Sequence, residues 1–381
     1  MSKDDQTKDA GATRGDEVTT SRRRLFRMGG ALAAAGLAGG LAAPQAEAEA
    51  AWKTVVAPKY YPLDDFTGDV TVAGTTVVIT GASRGIGLAT GLALQARGAN
   101  VIGTSRTPAN YPGHPFPLLQ LDVADPASVA AFPVAVLTAT GGANIDALLN
   151  NAGRFVFGTP VPFPPIDPVF YHQQIALSMA TLYLGHITVT NSLLGVINPG
   201  GAVMFTTSIA AYSVGGTEIG ESAGQSFLSP YYSGKRALLA YANNLRGFVR
   251  TAGLPIRVAT VNPFAIDTPL AAYGNPIVLE PVDGSGVPFN PLLDQVQQGT
   301  QLFLANGLPA EFVAETYAQL LEMSEPTPNV VVASPEEPFA TQGGNELLLA
   351  GALAENAESA AGFASVQEER RAANGKGRGR R

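Results

Sequence analysis

Tyr231 and Lys235 stand four residues apart, a spacing that puts a phenol and an ammonium on one face of a helix. In that arrangement the cation can draw the phenol's pKa down from its reference of about 10, giving a proton donor and acceptor usable near neutral pH. Ser208 closes the apolar run from Ala202 to Thr207 and so presents a hydroxyl at what reads as a strand end. A second chemistry is written earlier, where Val77-Val78-Ile79 leads into Thr80-Gly81-Ala82-Ser83-Arg84-Gly85-Ile86-Gly87 and then a helical stretch. Glycines let a chain turn tightly and approach a ligand, and a helix start offers N–H groups and partial positive charge to a pyrophosphate. Each feature alone has a plainer reading. A Tyr-x-x-x-Lys is often a solvated helix face, a strand-end serine often caps a turn, and this glycine spacing differs from Gly-x-Gly-x-x-Gly. Their order along one chain, with Asn150-Asn151-Ala152-Gly153 between them, favours chemistry.

These side chains need a frame, and the apolar runs supply one. Strands are expected near 76–80, 100–104 and 117–121, a fourth ending at Leu148-Leu149, then 202–207, Ile256 to Val261 and Val330 to Val332. Helices are expected over about 168–197 and 230–252, and over Ala310 to Met323, where Phe312, Val313, Tyr317, Leu320 and Leu321 recur at helical spacing. Continuously apolar strands alternating with helices predict an α/β fold: a doubly wound parallel sheet, buried on both faces.

The ordered set resembles the short-chain dehydrogenase/reductase family, well over residues 73–270 and loosely over 300–334. The matching segments are Thr80 to Gly87, Leu121-Asp122-Val123, Asn150 to Gly153, Ser208, and Tyr231 with Lys235. Asn262-Pro263 followed by Thr268 resembles the family's nicotinamide-side loop, with Phe264 where glycine is usual. The resemblance implies a Rossmann-type domain and hydride transfer between a nicotinamide dinucleotide and a carbonyl or secondary alcohol. It implies that Tyr231 is general acid and base, that Ser208 hydrogen-bonds the substrate oxygen, and that Lys235 holds the nicotinamide ribose. Gly81, Ser83, Arg84, Gly85, Ile86, Gly87, Asp122, Val123, Asn151, Ala152, Gly153, Pro263 and Thr268 become dinucleotide-binding positions, together with Tyr231 and Lys235.

One family feature is replaced. An asparagine usual in the helix before the Ser208 strand, where it holds a water in a proton relay to the lysine, aligns near Leu182. Thr181 is able to hold a water there, Ser178 and His186 lie one helical turn away, and His186 reads as an ordinary helix residue. The second strand ends in Thr104-Ser105-Arg106, without the acid that would bond a ribose 2′-hydroxyl. Arg106 and Arg84 suit a 2′-phosphate, which favours NADP over NAD, the plainer alternative being two solvated surface charges.

The amino terminus carries Ser21-Arg22-Arg23-Arg24-Leu25-Phe26-Arg27, then the mildly apolar Met28 to Ala43 and the small-residue run Ala46-Glu47-Ala48. This resembles a twin-arginine export signal, with Leu25-Phe26 in place of the usual Phe-Leu, and predicts export of a chain processed after about residue 48. The stretch is too short and mild for a stable membrane span. The alternatives are a disordered basic leader and a cytoplasmic protein. Residues 49–72 read as an arm, 73–340 as the catalytic domain with inserts at about 209–229 and 270–308, and 341–381 as a partly disordered tail.

Composition narrows the classes further. Residues 49–381 carry a net charge of −8, and the basic tail is spaced by glycine, so a nucleic-acid partner is not expected. There are no cysteines, and the three histidines lack ligand spacing, so neither thiol chemistry nor a metal site is expected. The inserts hold Tyr273, Ile277, Val278, Leu279, Phe289 and Phe227, which suits an apolar carbonyl substrate or simple packing against the sheet. A homo-oligomer, dimer or tetramer, is expected through the helices near 170–197 and 230–252, where relatives pair. A weakly catalytic dinucleotide-binding or redox-sensing module is the second functional reading, and a sugar-nucleotide epimerase or dehydratase the third.

Overall fold

The structure is a computed structural model that describes residues 59–60, 63, 66, 68–155, 168–211, 229–270, 304–326 and 328–333. The expected export signal, the bulk of both inserts and the tail lie outside the described residues.

Among the described residues, ten strands alternate with helices. They are β1 (Lys59–Tyr60), β2 (Thr76–Ile79), β3 (Asn100–Ser105), β4 (Leu118–Gln120), β5 (Ile145–Asn150), β6 (Ile197–Thr206), β7 (Arg257–Pro263), β8 (Ile266–Asp267), β9 (Leu308–Pro309) and β10 (Asn329–Val332). The helices are α1 (Gly85–Ala96), α2 (Pro126–Ala139), α3 (Pro168–Met179), α4 (Gly185–Leu193), α5 (Ser229–Thr251) and α6 (Ala310–Leu321). A π-helical segment, Ala180–Leu184, joins α3 to α4.

Eight strands form one parallel sheet in the order β1-β10-β7-β6-β5-β2-β3-β4, and β8 pairs with β9 in a separate two-stranded ladder. The fold is therefore the expected doubly wound α/β sheet. The stretch read as an arm takes part in it: β1 extends the edge beyond β10, and Leu63 and Val72 are buried in the core.

Alternation along β2 shows how the two faces are filled. Val77 and Ile79 join the cluster that packs Leu94 of α1 and Tyr317 and Leu320 of α6. Val78, pointing the other way, joins Phe132 of α2, Val189 of α4 and Leu238 of α5. All three β2 side chains are fully buried, and burial of such a side chain contributes roughly 1.5–3 kcal/mol. Both faces are covered, which is why the strand reads as an unbroken apolar run rather than an alternating one.

The order of winding sets the site. From β2 the chain runs outward to β3 and β4, then returns to β5 on the other side and continues through β6 and β7. The carboxyl ends of β2 and β5 thus flank a topological switch point, the crevice where open α/β sheets bind ligands. Thr80 and Asn151 directly follow those two ends, and Thr206 and Pro263 are the last residues of the neighbouring β6 and β7.

Candidate active site

The glycine turn is held shut from the neighbouring strand. Gly81 has a φ of +65°, and a Cβ there would stand 2.7 Å from the Ala152 Cα. A Cβ on Gly87 would stand 2.5 Å from the Gly81 carbonyl oxygen and 2.6 Å from Asn151 Nδ2. The Thr80 hydroxyl accepts from the backbone N–H of Asn151 at 2.9 Å and of Ala152 at 3.0 Å. Asn151 Nδ2 in turn donates to the carbonyls of Thr80 and Gly81, both at 3.1 Å. Helix α1 starts at Gly85 after an extended Arg84, with no side-chain cap and no acidic residue in its first turn. Its N-terminal N–H groups and dipole are thus directed at a narrow glycine-lined cradle, which fits the phosphates of a dinucleotide. Thr268, far along the chain, comes to this turn: its side chain lies 3.4 Å from where a Gly85 Cβ would stand.

Ser208, Tyr231 and Lys235 converge at the ends of β6 and β7. Helix α5 carries Tyr231 and Lys235 on one face, and Lys235 Nζ lies 5.8 Å from the centroid of the Tyr231 ring. Ser208 stands near enough to Tyr231 to favour its ionised form. Ser208 Oγ also donates to the Pro263 carbonyl at 3.4 Å and accepts from the Ala210 N–H at 3.2 Å. Lys235 Nζ donates to the Thr206 carbonyl at 2.7 Å. Phe155 packs on Tyr231 with ring centroids 4.5 Å apart, so the phenol has an apolar wall on one side.

Burial corrects one expectation about these groups. It pushes the Tyr231 phenol up to about 12, a rise that nearby Ser208 opposes. Burial likewise brings the Lys235 ammonium down to about 7. The lowered phenol expected from the Tyr–Lys spacing is therefore offset in this protein by removal from water, which disfavours both charged forms.

Beneath the site runs a line of buried Thr and Asn side chains. Thr207 Oγ1 donates to Asn262 Oδ1, and Asn262 Nδ2 donates to Thr260 Oγ1 at 3.2 Å and the Val330 carbonyl at 2.9 Å. Thr260 Oγ1 donates to Asn329 Oδ1 at 2.7 Å, which also accepts from Arg246 at 3.3 Å. These bonds tie the residues before Ser208 and before Pro263 to the adjacent strands, fixing both strand ends.

The segment expected to contact the adenine forms a turn held by its own hydrogen bonds. Asp122 Oδ1 accepts from its own Ala124 N–H at 2.9 Å, and the Asp122 N–H donates to Ser128 at 2.9 Å, shaping the turn after β4. Val123 is buried behind it. Arg106 and Arg154 are close enough to interact with each other, and Arg154 interacts with Asp122 as well. Burial is the main cause and Arg106 the second of a lowered Arg154 pKa, while Asp122 works the other way. Arg84 reaches the Tyr111 hydroxyl at 3.5 Å.

Leu182, at the position of the family asparagine, is fully buried in the π-helical segment. Its side chain would lie 2.9 Å from a Cβ on Gly234 and 3.7 Å from one on Gly153, which also lies 3.8 Å from Lys235 Nζ. Of the neighbouring polar groups, Ser178 Oγ donates to the Pro230 carbonyl at 3.0 Å, beside Tyr231. His186, expected to be an ordinary helix residue, is fully buried, and its imidazole is held down at about 3 by burial and then by the charge of Lys235.

Sequence reasoning singled out neither Arg154, Thr206 nor Tyr317 as site residues. Arg154 directly follows Gly153 and Thr206 precedes Ser208 by two, so proximity to the motifs was the available signal. Tyr317 sits in an apolar stripe and gave none.

A doubly wound sheet with a glycine cradle at its switch point and a Ser–Tyr–Lys group beside it defines a dinucleotide-binding oxidoreductase class. The chain belongs to the short-chain dehydrogenase family, whose family model matches residues 75–276. A short chain dehydrogenase of Monascus purpureus is 32% identical over 218 residues, covering 52% of this chain and 67% of the relative. Over other curated relatives the match spans only about a third of their length. A short-chain dehydrogenase/reductase from Burkholderia phymatum, solved in complex with NAD, has a TM-score of 0.55 at 18% identity over 72% of this chain and 93% of its own. One from Burkholderia cenocepacia J2315, solved in complex with NADP, has a TM-score of 0.50 at 23% identity over 69% and 96%.

Proposed function

We propose that this chain is an NADP(H)-dependent oxidoreductase that interconverts an apolar carbonyl compound and its secondary alcohol. The observation that carries the reading is the buried Tyr231 phenol, close to Ser208 and one helical turn from Lys235, at the strand ends beside the glycine cradle. A bound nicotinamide dinucleotide supplies or accepts the hydride. Ser208 hydrogen-bonds the substrate oxygen, on which negative charge develops during reduction. Tyr231 donates its proton to that oxygen and takes it back in oxidation. Lys235, anchored on the Thr206 carbonyl, holds the nicotinamide ribose and places positive charge near the phenol. Gly81, Ser83, Arg84, Gly85, Ile86 and Gly87 receive the pyrophosphate with Thr268, while Asp122, Val123, Asn151, Ala152, Gly153 and Pro263 line the remaining dinucleotide groove.

The preference for a 2′-phosphate rests on Arg106 and Arg84, with no carboxylate at the end of β3. The test is fluorescence-detected binding of NADPH and NADH to the chain without residues 1–48, followed by NADPH oxidation against aldehydes, ketones and quinones. Binding with turnover is expected. Tight binding without turnover on any substrate would favour a dinucleotide-binding module, the reading supported by Leu182 in place of the family asparagine and Phe264 in place of glycine.

The amino-terminal residues 1–48 direct export in this reading. A reporter fused to them would be exported, and replacing Arg22 and Arg23 by Lys would retain it in the cytoplasm.

A further inference from the structure

We infer that Tyr317, from helix α6, is a positioning residue of the dinucleotide site, acting through Thr206 and Asn151. This rests on the dinucleotide-binding reading and adds to it a residue beyond the 75–276 segment that matches the family. Tyr317 is fully buried, and burial holds its phenol protonated, above the ordinary tyrosine range, against the opposing Thr206 hydrogen bond. Its hydroxyl lies 2.6 Å from Thr206 Oγ1, and Thr206 Oγ1 donates to Asn151 Oδ1 at 3.1 Å.

The directions of these bonds follow from counting hydrogens. Asn151 Nδ2 is committed to the Thr80 and Gly81 carbonyls, so its Oδ1 faces Thr206 and accepts. Thr206 has a single hydroxyl hydrogen, which goes to Asn151. The Tyr317 hydroxyl therefore donates to Thr206. The chain runs one way, from α6 through β6 to the loop after β5, and ends on the two carbonyls of the glycine turn.

Thr206 serves both halves of the site, because its backbone carbonyl accepts from Lys235 Nζ while its hydroxyl orients Asn151. An Asn151 amide turned over would aim Oδ1 at two carbonyl oxygens, next to a turn with no room for adjustment at Gly81 and Gly87. Tyr317 donates to one lone pair of Thr206 and so biases that hydroxyl's hydrogen toward Asn151. Positioning of this kind acts on affinity, because a preorganised cradle has less to order when a ligand binds.

The test is dinucleotide affinity, read separately from stability and turnover. Wild-type, Tyr317→Phe, Thr206→Val and the double variant are titrated with NADPH and NADH, and each is melted without ligand. Thr316→Val, which removes a buried hydroxyl that bonds only within α6, is the structural control. Kd is expected to rise about fivefold in Tyr317→Phe, the equivalent of one neutral hydrogen bond. The kcat is expected to stay within about twofold, with the double variant no weaker than Thr206→Val. The control lowers the melting temperature and leaves Kd alone.

An unchanged Kd in folded Tyr317→Phe overturns the inference, as does a double variant whose losses add. Should Tyr317→Phe fail to fold, folded Thr206→Val with unchanged Kd overturns it, and failure of both variants to fold does the same by making the role structural. Wild-type protein that binds neither nucleotide would instead sink the functional reading itself.

Discussion

Lys235 Nζ donates a 2.7 Å hydrogen bond to the carbonyl of Thr206, the residue two before Ser208, while the Tyr231 ring centroid lies 5.8 Å away. A backbone carbonyl thus fixes where the one buried cation of this group stands, independently of any side chain that titrates. Burial brings that cation down to about 7 and raises the phenol to about 12, so the site begins with both groups poised toward neutrality.

Removing the phenolic hydroxyl tests the proton step. Tyr231→Phe keeps the ring on Phe155 and removes only the hydroxyl. It should lower kcat by about 10²–10⁴, the usual worth of a positioned acid or base. Steady-state kinetics measures the loss, and a variant with wild-type kcat would refute the role.

Filling the cradle tests the phosphate site. In Gly87→Ala the new methyl meets the Gly81 carbonyl at 2.5 Å and Asn151 Nδ2 at 2.6 Å, both parts of the fixed turn. Overpacking of this kind is expected to destabilise the protein by about 1–3 kcal/mol and to weaken dinucleotide binding at least tenfold. Thermal melts and titration with NADPH measure the two effects.

Cofactor preference is testable at the arginines. Arg106→Ala is expected to weaken NADPH binding about tenfold or more while leaving NADH nearly unchanged, since one charge-assisted contact to a phosphate contributes about 1.5–3 kcal/mol. Arg154→Ala, beside Arg106 and Asp122, is expected to act in the same direction and less strongly. Equal losses for both nucleotides would place these arginines elsewhere in recognition.

The buried imidazole gives a pH signature. His186 is held at about 3 in the folded chain against 6.5 when unfolded, so between those values the unfolded state binds the extra proton and stability rises with pH. One such proton corresponds to a slope of about 1.4 kcal/mol per pH unit. Acidification from pH 6.5 toward 5 should therefore destabilise wild-type protein more steeply than His186→Phe. Denaturant midpoints at several pH values check it, and parallel curves would refute it.

Much of the frame was legible in the chain itself. Val77 to Ile79, Ala202 to Thr206 and Val330 to Val332 are strands, short apolar runs of the kind that a parallel sheet covered on both faces requires. Asn100 to Ser105 and the Tyr231 helix fall within a residue or two of their expected bounds. What the pattern concealed was small or polar. The two-residue strand β1 pairs only because β10 offers an edge, and the π-helical turn at Leu182 has no periodicity of its own.

The sequence by itself determined the order of the chemistry: a glycine turn after the first long strand, an amide loop, a strand-end serine and a helical Tyr–Lys pair, all set by local spacing. Only the tertiary structure decided how those parts are held. Thr268 meets Gly85, Tyr317 reaches Thr206, and Lys235 comes to the Thr206 carbonyl through contacts between elements distant in sequence. It also reversed the expected direction of the Tyr231 pKa. Spacing along a helix predicts which charges are neighbours, whereas desolvation depends on everything packed around them, and here burial outweighs proximity.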